Sequence, residues 1–118
     1  MPRLTTHVLD TMHGCPAAGM GVALYRIEAD DRPPVELRAL ALDADGRAGG
    51  PLLDGAACAP GRYRLVFEVA GYFRARGVAL PDPPFLDRVA IDFGLADDAH
   101  YHVPLLASPW SYSTYRGS

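Results

Sequence analysis

Glycine and proline interrupt this chain at short, regular intervals, and that punctuation restricts its architecture more than any other feature. Twelve glycines and eleven prolines are spread over 118 residues, leaving runs of about five to nine residues, the usual length of strands. Within the runs, apolar and polar residues alternate. Period 2 predicts strands near Thr5–Thr11, Gly21–Ala29, Val35–Asp43, Arg47–Leu53, Arg62–Val69, Asp87–Phe93, Tyr101–Ala107 and Trp110–Gly117, about eight in all. Short strands at this spacing are the signature of an antiparallel sandwich or barrel.

The clearest strand is Arg62–Val69. Tyr63, Leu65, Phe67 and Val69 share one face, and Arg62, Arg64 and Glu68 share the other, the pattern of a sheet with one wet side. Ala70–Arg76 breaks the alternation ahead of Gly77, which predicts a short helical turn with a glycine stop. Pro81, Pro83 and Pro84 then make Pro81–Phe85 an extended connection, because proline fixes φ and disfavours helix in the residue before it. A length of 118 residues predicts one domain, residues 1–118, with a core of its own.

Composition narrows the function classes. Charged residues make up 21% and the formal net charge is −3, ordinary values for a globular protein. All eleven basic residues are arginines scattered from Arg3 to Arg116, which excludes the clustered basic footprint of a nucleic-acid binder. No apolar run approaches the roughly 20 residues that span a bilayer, so no membrane partner is expected. The N-terminus reads straight into alternating sequence without a secretory signal, and Cys15 and Cys58 are too few for a disulfide framework. The expectation is a cytoplasmic protein with inert thiols.

Face parity singles out two histidines. Val8 alternates with His7 and Leu9, and Tyr101, Val103 and Leu105 alternate with His102. If the apolar sets face the core, His7 and His102 face outward. Outward histidines are most often simply solvated. The closing segment is harder to set aside: Ser108 to Ser118 carries five serine or threonine hydroxyls, a tryptophan, two tyrosines and Arg116, where chain ends are usually bland. A hydrogen-bonded strand is its plain reading, since Tyr, Thr and Trp favour strands.

Leu4-Thr5-Thr6-His7-Val8-Leu9-Asp10 with Gly14-Cys15-Pro16-Ala17-Ala18-Gly19, and Ser108-Pro109-Trp110-Ser111-Tyr112-Ser113-Thr114-Tyr115-Arg116-Gly117-Ser118, resemble the two signature segments of the transthyretin-like proteins. The ending Tyr115-Arg116-Gly117-Ser118 is similar to that of the enzymatic branch, the 5-hydroxyisourate hydrolases of purine catabolism. Asp45-Gly46-Arg47 and Gly61-Arg62-Tyr63-Arg64-Leu65 extend the likeness across the chain. Cys15 stands where the hydrolases often have Lys, Ala107 where Leu is common, and Trp110 where Tyr or Phe is usual.

The resemblance implies an all-β, transthyretin-like (prealbumin-like) sandwich of two four-stranded antiparallel sheets with one short helix. It further implies a homotetramer, a dimer of dimers, with sites in the channel between dimers. The implied reaction is hydrolysis of 5-hydroxyisourate to 2-oxo-4-hydroxy-4-carboxy-5-ureidoimidazoline, with no cofactor and no metal. By the same resemblance His7, Arg47, His102 and Ser118 carry the catalysis, while His7, Arg47, Tyr115, Arg116 and Gly117 bind the substrate. The hormone carrier of the family lacks this set, so its presence favours hydrolysis over carriage.

The chemistry suits the residue types. Opening a lactam needs a base to take a proton from water and a donor or cation to hold the oxyanion. Histidine titrates near neutrality, and arginine is a permanent forked cation. His7 is assigned the water and His102 the supporting role, with the reverse also open. Ser118 would position a histidine through its hydroxyl or terminal carboxylate.

Competing readings fit less well. His100-Tyr101-His102 with His7 has the alternation of a metal site but lacks a further ligand at clear spacing. His100 and His13 read as loop and turn polarity, and Asp10 and Asp45 as turn or strand-end residues. No G-x-S-x-G elbow accompanies Ser111 or Ser113. A non-catalytic carrier with a central channel, and a plain interaction module, are the alternatives from other functional classes.

Overall fold

In the computed structural model, which describes residues 1–117, nine strands form two packed sheets. They are β1 (Arg3–Asp10), β2 (Cys15–Pro16), β3 (Gly21–Ile27), β4 (Val35–Ala41), β5 (Leu53–Asp54), β6 (Gly61–Phe67), β7 (Val89–Leu95), β8 (His100–Ala107) and β9 (Tyr112–Thr114). The first sheet runs β2-β1-β8-β9, with β5 also on β1, and the second runs β4-β3-β6-β7. Their alternating inner faces meet in one core. Leu4 and Val8 of β1 and Leu105 of β8 pack there with Leu24 of β3 and Tyr63, Leu65 and Phe67 of β6, all essentially solvent-free.

The one α-helix among the described residues, α1 (Val69–Ala75), falls where the break in alternation predicts it. It buries Val69, Ala70, Tyr72 and Phe73 and stops as expected at Gly77, which has φ of 83°. The Gly77 amide donates to the Arg74 carbonyl and the Val78 amide to that of Phe73, a Schellman closure that a left-handed glycine permits. Pro81–Phe85 lies in an irregular connection with bends at Asp82–Pro83 and Phe85.

Four features depart from the expected sandwich. The sheets have five and four strands, not four each, and β1 pairs with β8 in parallel over eight residues. The segment Arg47–Leu53 is no strand. Gly49, with φ of 79°, turns it away after a single bridge between Arg47 and His7, and pairing resumes only at β5. Trp110–Gly117 shortens to β9, because Ser108 accepts the amides of Trp110 and Ser111 and folds the first residues into a turn.

Candidate active site

The parallel register of β1 on β8 sets Thr5 beside His102 and His7 beside Pro104. Since Leu4, Thr6, Val8 and Asp10 point inward, Thr5 and His7 share the outer face of the sheet with His100 and His102. The outward placement of both histidines is as parity predicts. The Thr5 hydroxyl lies 2.8 Å from Nδ1 of His102 and 3.1 Å from Nε2 of His100. Sequence reading missed Thr5, since its alternation with Leu4 is visible but its strand partner is not.

Arg47 reaches this face through a tight turn. The Asp43 carboxylate accepts the amides of Asp45 and Arg47, so Asp43 supports the turn and Asp45 occupies it. Gly46 follows with φ of 73°, and a Cβ there would sit 2.5 Å from the Val8 carbonyl oxygen. Only glycine fits so close to β1 in that conformation. The Val8 amide donates to the Gly46 carbonyl at 2.9 Å, which fixes Arg47 opposite His7.

The C-terminal segment closes on His102 from the other side. The Gly117 amide donates to the His102 carbonyl at 2.8 Å, and a Cβ on Gly117 would fall 2.5 Å from Cδ2 of the imidazole. Arg116 turns away from the histidines. Its guanidinium stacks 4.0 Å above the ring of Tyr101, a residue that faces inward. Tyr115 is exposed, and Ser118 lies outside the described residues. Thus His7, Arg47, His102 and Gly117 come together, whereas Arg116 does not join them in a single chain.

The His102 ring is half-buried, and its pKa lies below the ordinary imidazole value. Burial is the main cause, followed by the charge of Arg47 and then by His7 and His100. At neutral pH the ring is therefore neutral, with one lone pair available to take a proton. Among the described residues, no three His, Cys, Asp or Glu side chains gather as a metal site.

A second polar cluster lies at the far end of β1. The buried Asp10 carboxylate accepts the His13 amide at 2.9 Å, the Tyr72 hydroxyl at 2.7 Å and the His13 Nδ1–H at 2.6 Å. Asp10 thus ends a strand, as read, but also ties β1 to α1. Burial alone would raise its pKa; the His13 amide, the Tyr72 hydroxyl and the His13 ring outweigh that and hold it below the usual carboxylate value. Arg76 lies 3.5 Å from Cys15 Sγ, a basic neighbour invisible in sequence. Burial raises the Cys58 thiol pKa, with Asp54 and Asp98 adding to it.

On the first sheet a depression lined by Arg3, Thr5, Thr6, Arg47, Gly50 and Pro51 measures ≈ 190 Å³. A larger one of ≈ 650 Å³ lies on the outer face of the other sheet. Its arginines are committed to ion pairs, Arg64 with Asp92 and Arg88 with Glu68, whereas Arg47 in the smaller depression is bridged to His7. His7, His100 and His102 all lie on the first sheet.

Fold and site together define a transthyretin-type sandwich whose outer sheet face carries histidine and arginine. The chain belongs to the HIUase/Transthyretin family, whose model matches residues 4–117. It is 57% identical over 117 residues to 5-hydroxyisourate hydrolase 2 of Rhizobium meliloti, covering 98% of this chain and 96% of that one. The structure of Klebsiella pneumoniae 5-hydroxyisourate hydrolase superposes with a TM-score of 0.81 at 35% identity, over 100% of both chains. Sea bream transthyretin in complex with thyroxine superposes at 0.84 with 25% identity, covering 98% of this chain and 94% of that chain.

Proposed function

We propose that this chain hydrolyses 5-hydroxyisourate by histidine-assisted attack of water on the lactam carbonyl. The observation that carries the reading is a neutral, half-buried His102 that feels Arg47 and His7 on one sheet face. Its depressed pKa and its packing against Gly117 support His102 as the base, reversing the roles expected from sequence. Arg47 supplies a fixed charge for the oxyanion, and His7 orients the water or protonates the leaving nitrogen. Tyr115 and Ser118 are assigned to substrate binding and histidine positioning on family resemblance.

The working form is a homotetramer. A depression of ≈ 190 Å³ is smaller than the roughly 300–1,000 Å³ of small-molecule sites, so a second copy facing the first sheet would complete the pocket. Two free cysteines favour a reducing compartment, the cytoplasm. No described helix is long and apolar enough to cross a membrane.

The test is the ultraviolet decay of freshly generated 5-hydroxyisourate with wild type and His102→Ala. Acceleration by wild type alone is expected, with a loss of roughly 10²–10⁴-fold in the variant. If wild type matches buffer, the chain is a carrier and the enzymatic reading falls.

A further inference from the structure

Thr5 stands between two imidazoles with a single proton to give. Neutral imidazole carries one N–H and one lone pair, and the bond made at one nitrogen decides what the other presents. Were Thr5 to donate to Nδ1 of His102, the ring proton would sit on Nε2 and that nitrogen would have no lone pair to offer. Were Nδ1–H of His102 to donate to Thr5, Nε2 would be free, but the threonine proton would then need another acceptor. His100 Nε2, 3.1 Å from the same oxygen, is that acceptor.

We propose that Thr5 is a positioning residue which, with His100 behind it, holds His102 in the Nδ1–H tautomer and leaves the Nε2 lone pair for water. The geometry follows from the fold. Thr5 lies directly across the parallel ladder from His102, and His100 precedes His102 by one full pleat on the same face. The hydroxyl thus accepts from His102 at 2.8 Å and donates its own hydrogen bond to His100 at 3.1 Å. Without His100, the nearest imidazole nitrogen for that proton is Nδ1 of His102 itself, which reverses the tautomer.

The inference rests on the proposed hydrolysis, so its test reads the ring directly as well as the turnover. Protein labelled with ¹⁵N-histidine is compared by long-range proton–nitrogen correlation, alongside steady-state kinetics, for wild type, Thr5→Val, Thr5→Ser and His100→Ala. Wild type and Thr5→Ser are expected to show His102 protonated at Nδ1. Thr5→Val and His100→Ala should move it toward the Nε2–H form and lower kcat roughly 10- to 100-fold, with KM little changed, since a histidine in the wrong tautomer is a poor base. His100 is exposed, so that variant remains informative should Thr5→Val fail to fold. An unchanged His102 tautomer in both variants, or an Nε2–H ring in active wild type, overturns the role of Thr5. A wild type inert toward 5-hydroxyisourate but protonated at Nδ1, with the tautomer shifted in the variants, removes the proposed reaction and leaves the tautomer assignment standing.

Discussion

The missing side chain of Gly117 decides how closely the C-terminal segment approaches His102. A methyl group there would meet the imidazole at 2.5 Å, well inside van der Waals contact, so the ring or the segment must move. Gly117→Ala is therefore expected to lower kcat by at least roughly tenfold, because a displacement near 1 Å at a reacting group costs up to about 10²-fold. Wild-type kcat in a folded variant would show that the ring's place does not matter. Asp10 carries a separate prediction. Tyr72→Phe removes one donor from a carboxylate that has no exposed surface, at a cost of about 1–3 kcal/mol by urea unfolding at pH 7. The Asp10 pKa is depressed in the fold, so its contribution is full above the unfolded value near about 3.9 and lost as pH falls through the folded value. The two stability curves should converge at that acid end; a constant gap down to acid pH would exclude the carboxylate as its source. The outward histidines were legible because alternation is local, whereas Asp10 and Tyr72 are 62 positions apart and meet only through packing.

At the scale of elements, what the sequence could not disclose is which strands are neighbours. The parallel pairing of β1 with β8 joins the two ends of the chain and creates the Thr5–His102 contact, yet each strand alone carries only an alternation pattern. The other edge of β1 is covered in pieces by β2, the Arg47 bridge and β5. That patchwork is why Arg47–Leu53 reads as a strand but makes only one bridge before Gly49. Its anchor is the turn Asp43–Arg47. Gly46→Ala should destabilise the protein by at least about 1–2 kcal/mol from left-handed backbone alone, with the Val8 carbonyl clash in addition. The melting temperature should fall, and turnover of the folded fraction should fall with it as Arg47 loses its place. An unchanged melting temperature would mean that the turn relaxes without strain.

For the whole molecule, the arrangement of charge and shape argues that one copy is not enough. The histidines and Arg47 sit on an outer sheet face, half-buried or exposed, and the depression that Arg47 lines there measures only ≈ 190 Å³. Such a surface would leave water free to solvate a developing oxyanion, which would weaken the electrostatic role proposed for Arg47. A facing copy would exclude that water and would also cover Tyr112 and Tyr115, which a single chain leaves largely exposed beside β9. Activity per chain should therefore depend on assembly. Diluting the protein, or loosening it with mild urea below the unfolding transition, is expected to lower specific activity in step with loss of the proposed tetramer. Light scattering and the 5-hydroxyisourate assay run on the same samples make the comparison. Full activity in a folded monomer would mean that one sheet face suffices, and that Arg47 and His102 achieve their effect in contact with bulk water.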